Sequence, residues 1–374
     1  DVAPDVAPDV APDVAPDVAP DVAPDVAIDA KPDAPQDAKP DVTPDAKPDV
    51  APDASPLCED TPVPDSACTS DGNCAVQAFV APQASTYNFG IDTDGVDVYW
   101  AAQNHYDGVG TGAIKRLAAD KAGQTPEVFT TGHERPFSVA IGSEYVYWLA
   151  HGTAATKPRL YGAKRDCTVP CVPTVIKEYP AWSLNRLKLV GNRLFVLINE
   201  GVDVLTGSAF TWASIASHPS GEYCSIAPGY DGVFTSTVRT QAIMKLSLDG
   251  TLAQQFVAFQ GGNDALEPGP TSMAASCSTL YALSIDRALW GIDLKTKVQT
   301  ALVTGLEGDL WGVGVDAKFV YVNRANAGGV TRISTNAPGV DKFGDGSNVF
   351  TMAVDAQYVY FDDHNTGAIK RIIK

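Results

Sequence analysis

Residues 355–374 read "DAQYVYFDDHNTGAIKRIIK", and this stretch decides the fold. Apolar and polar residues alternate in "YVYFDD" and again in "AIKRII", and the turn-forming "HNTG" joins them, so the stretch predicts two strands and a turn. The sequence then stops where a third partner strand is due. A matching piece occurs far upstream: "AVQAFVAPQ" (75–83) reads as an outer strand with no repeat before it. If that strand completes the last sheet, no edge is left without a partner.

The same unit recurs along the chain, as "VDVYWAA…GAIKRL", "EYVYWLA…RLYGAKR" and "KFVYVNR…GGVTRI". An aromatic residue preceded by an aliphatic one marks each copy, at Tyr99, Tyr147, Phe195, Phe234, Tyr281, Tyr321 and Tyr360. The intervals of 48, 48, 39, 47, 40 and 39 residues fall in the period of a propeller repeat. The third and fifth copies, "LFVLINEGVDVLTG" and "LYALSIDRALWGID", are degenerate and are recognised by pattern alone. Each unit reads as four short strands, and helical periodicity is absent. The expectation is an all-β, seven-bladed β-propeller over residues 75–374, with its N-terminal strand completing the last blade.

Residues 1–56 are of another kind. Aspartate recurs at every fourth position in "DVAPDVAP" repeats, with proline almost as regular. Proline at that spacing forbids a helix, and valine with alanine cannot bury enough surface to offset chain entropy. The segment is expected to be a disordered, polyproline-II-like spacer of about 3.1 Å per residue, reaching roughly 170 Å. It carries 11 of the 18 net negative charges, which argues against a nucleic-acid partner. No apolar run is long enough to span a membrane as a helix.

Seven cysteines bear on the compartment. Cys58, Cys68 and Cys74 crowd a junction over 57–74, and Cys167 with Cys171 in "CTVPC" would staple a hairpin. Cys224 with Cys277 is a weaker second pair. No histidine lies near either cluster, so disulfides are preferred to zinc, and with them an oxidising setting.

The "YVYW…G.I.R" unit resembles the repeat of YWTD, NHL and virginiamycin-B-lyase-like propellers. It is most similar to surface propellers of myxobacteria that carry Asp/Pro-rich leaders. The resemblance implies a secreted or cell-surface monomer, anchored as a lipoprotein. In such propellers ligands meet the face built by the loops after the second and fourth strands of each blade.

Those loops contain all five histidines: His105, His133, His151, His218 and His364. Ring closure would bring the loops of His364, His105 and His151 together, with Asp107, Asp362 and Asp363 close in sequence. Imidazole with carboxylate suits zinc or another first-row divalent metal, the one cofactor the pattern suggests. Arg239, Arg287 and Arg324, read as equivalent loop positions of blades four to six, would hold an acidic ligand. "DTDGVD" (92–97) lacks a full calcium-loop ligand set and reads better as a turn. Trp182 and Trp311 are read as core packing in preference to a stacking platform. No catalytic sequence signature is present. Two functions of different class follow: a tethered binding module for a protein or glycan, which is favoured, and a metal-assisted lyase or hydrolase resembling virginiamycin B lyase.

Overall fold

A computed structural model describes residues 75–374 except 85, 105–111, 154–155, 181–183, 200, 207–210, 218–222, 238–240, 249–252, 262–268, 327, 336–339 and 344–346. The side chains of 184–185, 211–217, 223–224, 237 and 341–343 also lie outside the description. The spacer, the cysteine junction, Trp182, His105, Asp107, His218 and Arg239 therefore fall outside it.

The described residues form seven four-stranded antiparallel sheets. The protein is a seven-bladed β-propeller. The innermost strands are Tyr87–Thr93, Pro136–Ile141, Leu184–Val190, Tyr223–Gly229, Ser272–Ala275, Asp309–Val315 and Met352–Val354. Each neighbours the next, and the seventh neighbours the first. The seven marker aromatics are each the third residue of a second strand, from Tyr99 in Asp97–Gln103 to Tyr360 in Tyr358–Asp363.

The second strands are mostly apolar in their first four or five residues because both of their faces are buried. In blade 1, Val98, Trp100 and Ala102 pack toward blade 7, while Tyr99 and Ala101 pack toward blade 2. In blade 3, Leu194 and Val196 face blade 2, and Phe195 and Leu197 face blade 4. A buried apolar cluster occupies every junction between neighbouring blades, including that between blades 7 and 1.

Closure follows the expected route. Val76–Val80 pairs antiparallel with Ala368–Ile373, so blade 7 takes its outer strand from upstream of blade 1. Phe79, fully buried, meets Tyr360 edge-on at 5.1 Å between ring centroids. The Asn88 side chain donates to Gly367 O at 2.9 Å, and Arg371 Nη1 to Ala119 O at 2.6 Å, tying blade 7 to blade 1.

A second device joins the inner strands, where a hydroxyl on one blade accepts a backbone N–H from the next. Thr351 Oγ1 takes Ile91 N–H at 3.1 Å, and Ser138 Oγ takes Leu187 N–H at 3.3 Å. Ser225 Oγ takes Met273 N–H at 2.8 Å, and Ser272 Oγ takes Val313 N–H at 3.2 Å. The equivalent residue of blade 1 is Gly90, at φ 53°, where a Cβ would lie 2.4 Å from Phe137 O. Only glycine permits that approach.

The Cys167–Cys171 disulfide is present, in the loop between Arg159–Lys164 and Thr174–Glu178. It also docks on blade 1, since Cys171 N–H donates to Phe129 O at 2.7 Å. Cys277 is disulfide-bonded as well. The suggested partner Cys224 has its side chain outside the description.

Deleting residues 75–83 removes the outer strand of blade 7, and calorimetry should find the melting transition strongly lowered or lost. Deleting residues 1–56 should leave that transition in place. Ser225→Ala strands the buried Met273 N–H and should cost about 1–3 kcal/mol in denaturant unfolding.

Candidate functional site

Antiparallel order places the starts of the inner strands, the ends of the second strands and the ends of the outer strands on one face. There the inner strands surround a cavity of about 380 Å³ at the mouth of the central channel. Residues of all seven blades line it: Phe89, Gln103, Phe137, His151, Arg186, Ile226, Met273, Trp311, Phe350 and His364 among them. It is the face that the resemblance to YWTD, NHL and lyase-like propellers implies for a ligand.

Aromatic rings form a collar at the mouth. The His364 ring lies 4.7 Å from Tyr87, 5.5 Å from Phe89 and 4.5 Å from Phe350. Phe350 continues to Trp311 at 5.4 Å. On the blade 2 side, His151 stacks on Phe137 at 3.7 Å and 10°. Trp311 is 46% exposed, which corrects its reading as core. Its inner strand borders the channel, where the facing wall is a cavity and not a neighbouring sheet.

The polar groups behind the collar are held by the backbone. Asp362 is fully buried, and its Oδ1 accepts the N–H groups of Phe350 and Thr351 at 2.8 Å each. Its Oδ2 lies 3.6 Å from His364 Nδ1, too long for a hydrogen bond. Desolvation raises the pKa of Asp362. Burial, with Arg135 nearby, lowers that of His151 to about 4, so His151 is neutral at pH 7.

The sequence-derived site residues part company here. His151 and His364 both reach the channel mouth, from blades 2 and 7. His133 does not line the cavity. It ends the outer strand Glu127–His133 of blade 1, 3% exposed, with Thr130 Oγ1 at 3.1 Å and the rings of Trp148 and Tyr161 about it. Arg324 is likewise in a strand, not a loop: it is 3% exposed within Phe319–Ala325 and donates to Gly328 O at 2.7 Å. Arg287 sits in an exposed turn at φ 64°. Among the described residues no group of three or more His, Cys, Asp or Glu is placed to hold a metal ion. The mouth residues that the sequence did not single out include Arg135, Arg186, Lys188 and Asn323. For the three cations the signal is faint, a basic residue at or near an inner strand, as in "ERPFSV" and "NRLKLV".

No protein-family model and no curated protein matches this sequence. Solved structures do. The chain is similar to the WD40 β-propeller domain of Doa1, with a TM-score of 0.61 at 11% identity, over 80% of this chain and 97% of that one. It is similar to YCF48 bound to a D1 peptide, with a TM-score of 0.60 at 12% identity, over 83% and 98%. It also resembles PorZ, a surface component of the type-IX secretion system of Porphyromonas gingivalis, with a TM-score of 0.55 at 11% identity. That match covers 80% of this chain but 38% of PorZ. At such identities the likeness shows the fold.

His133 gives a pH test. Burial lowers its pKa from 6.5 to about 4, so protons favour the unfolded chain as pH falls through that window. Its stabilising contribution is complete above about pH 6.5 and shrinks by up to about 3 kcal/mol toward pH 4. Denaturant unfolding of wild type and His133→Phe should therefore shift in favour of the variant by that order between pH 7 and pH 4. A constant difference would disprove the assignment.

Proposed function

We propose that this propeller is a binding module that takes a segment of a protein partner at the mouth of its channel. The aromatic collar carries the reading. Concave sites lined by rings with a few polar groups are the usual form of a ligand site. A half-exposed tryptophan beside Phe350 offers the kind of anchor that dominates interfaces. YCF48, similar in fold, was solved with a D1 peptide, which supports a peptide as ligand class. A glycan is the other class the sequence suggests, and an array separates the two.

We also infer an extracytoplasmic, surface-tethered setting for a monomer held as a lipoprotein. The Cys167–Cys171 disulfide favours an oxidising compartment. No helix of the described residues is long and apolar enough to cross a membrane. Kinship to YWTD, NHL and lyase-like propellers rests on the repeat itself. The metal-assisted lyase or hydrolase alternative rests on His105 joining His151 and His364.

Peptide and glycan arrays probed with wild type and with Trp311→Ala should give peptide binders that the variant loses by about tenfold or more, with unchanged circular dichroism. Binders indifferent to Trp311→Ala would place the ligand elsewhere. Mass spectrometry finding stoichiometric zinc in wild type, lost on His151→Ala with His364→Ala, would favour the enzyme reading instead.

A further inference from the structure

Outside residues 1–56 the chain has 31 acidic (45 less 14) and 24 basic (27 less 3) residues, so a surface patch drawn at random from it holds somewhat more carboxylates than cations. The channel mouth reverses that ratio. Its described lining contains Arg135, Arg186 and Lys188 and no aspartate or glutamate. Arg186 holds the most telling place. It comes from blade 3, yet its Nη2 donates to Trp311 O of blade 6 at 3.1 Å. Three blades is the largest separation that a ring of seven allows, so this guanidinium bridges the channel beneath the collar.

Two buried groups on opposite sides of the channel, in blades 6 and 2, want a hydrogen-bonding guest. Asn323 is fully buried and lines the cavity, and both its Oδ1 and its Nδ2 have no hydrogen-bond partner. Arg135 Nε is also buried without one, on a residue held at φ 53° where side chains other than glycine's are strained. Leaving such groups unpaired is costly, and an acceptor that enters the cavity recovers the loss at the two donors, Asn323 Nδ2 and Arg135 Nε, while Asn323 Oδ1 would need a donor. The carboxylates nearest the mouth are held by backbone: Asp92 Oδ2 accepts Ile141 N–H at 3.0 Å, and Asp362 Oδ1 accepts Phe350 and Thr351 N–H. Lys188 lies close enough to the buried Asp92 to favour its charged form, so this cation already has one carboxylate neighbour.

From this geometry we infer that the mouth selects an acidic peptide segment, a carboxylate seated on Arg135, Arg186 and Lys188 with flanking apolar side chains against Phe350 and Trp311. The inference rests on the binding-module reading above and adds its ligand chemistry. Guanidinium groups pair with carboxylate through parallel N–H donors, and the low dielectric of a walled channel strengthens the pairing. A cavity of about 380 Å³ admits one or two side chains and excludes a folded domain. The carboxylate belongs either to an Asp or Glu side chain or to a free C-terminus.

Two random heptapeptide libraries distinguish these sources, one with amidated and one with free C-termini, each selected on wild-type protein and counter-selected on Trp311→Ala. Mouth-dependent peptides should be enriched in Asp and Glu in the amidated library, or should appear only with free C-termini. The best synthetic peptide should weaken about tenfold or more when its carboxylates become amides, and similarly on Arg186→Gln and Lys188→Gln. Lys188→Gln leaves the Arg186–Trp311 bond in place, which guards against misfolding of the first variant. Wild-type affinity should fall with added salt, and more steeply than in Lys188→Gln. Mouth-dependent peptides with no acidic bias would overturn this inference and leave the binding module standing. Finding no mouth-dependent peptide in either library would overturn both. An acidic oligosaccharide that occupies the mouth in preference to every peptide would overturn the peptide assignment.

Discussion

The ladder between Val76–Val80 and Ala368–Ile373 holds the ring together. It makes a contact between chain segments almost 300 residues apart, and without it the third strand of blade 7 would be an open edge. A propeller has no central core to fall back on. Its apolar surface is divided among the junctions, and each junction is buried only while both neighbouring blades are in place. Loss of one pairing at the seam therefore loosens the contact between blades 7 and 1, and with it the circumference. The mouth exists only because that circumference is fixed. His364 meets Tyr87 and Phe89 across the seam, and Arg186 reaches Trp311 across the diameter.

The hydroxyl bonds between inner strands solve a local problem of the same geometry. Inner strands of adjacent blades splay apart and cannot form a continuous ladder, so N–H groups near the channel would be left unpaired. A serine or threonine at that point supplies an acceptor within a small volume. Where blade 3 has Arg186 in this position, a long cation lies in the channel instead. Candidate site and scaffold thus draw on one register of the inner strand, and a change of residue class there puts a channel side chain where four other blades have an inter-blade acceptor.

The fold was legible because it is written in a repeating unit. An aliphatic–aromatic pair at nearly regular intervals, with turn residues between, has one economical burial pattern, and the unmatched strand at 75–83 announced the seam. The site was less legible for a physical reason. Arg186 and Trp311 are 125 residues apart, and nothing local to either shows that a ring brings them together. Histidine was a poorer guide than its scarcity suggested. His133 satisfies a packing need between two aromatic rings, whereas His151 and His364 reach the channel. Arg324, which reads as an exposed cation, follows strand alternation into the interior. Trp311 does the reverse, because its strand faces a void.

The direction in which the chain enters blade 7 has a geometric consequence. Val76 pairs with Ile372, and Lys374 N–H donates to Gln357 O in the turn between the first two strands of that blade, so both points lie at the end of the propeller opposite the mouth. Any support that holds the domain by either point leaves the channel pointing into the medium. A ligand fixed to the same support would have to bend back around the rim, while one presented by an opposing surface meets the opening head-on. That orientation holds for a rigid hold at either point, and a long flexible spacer ahead of Val76 would relax it.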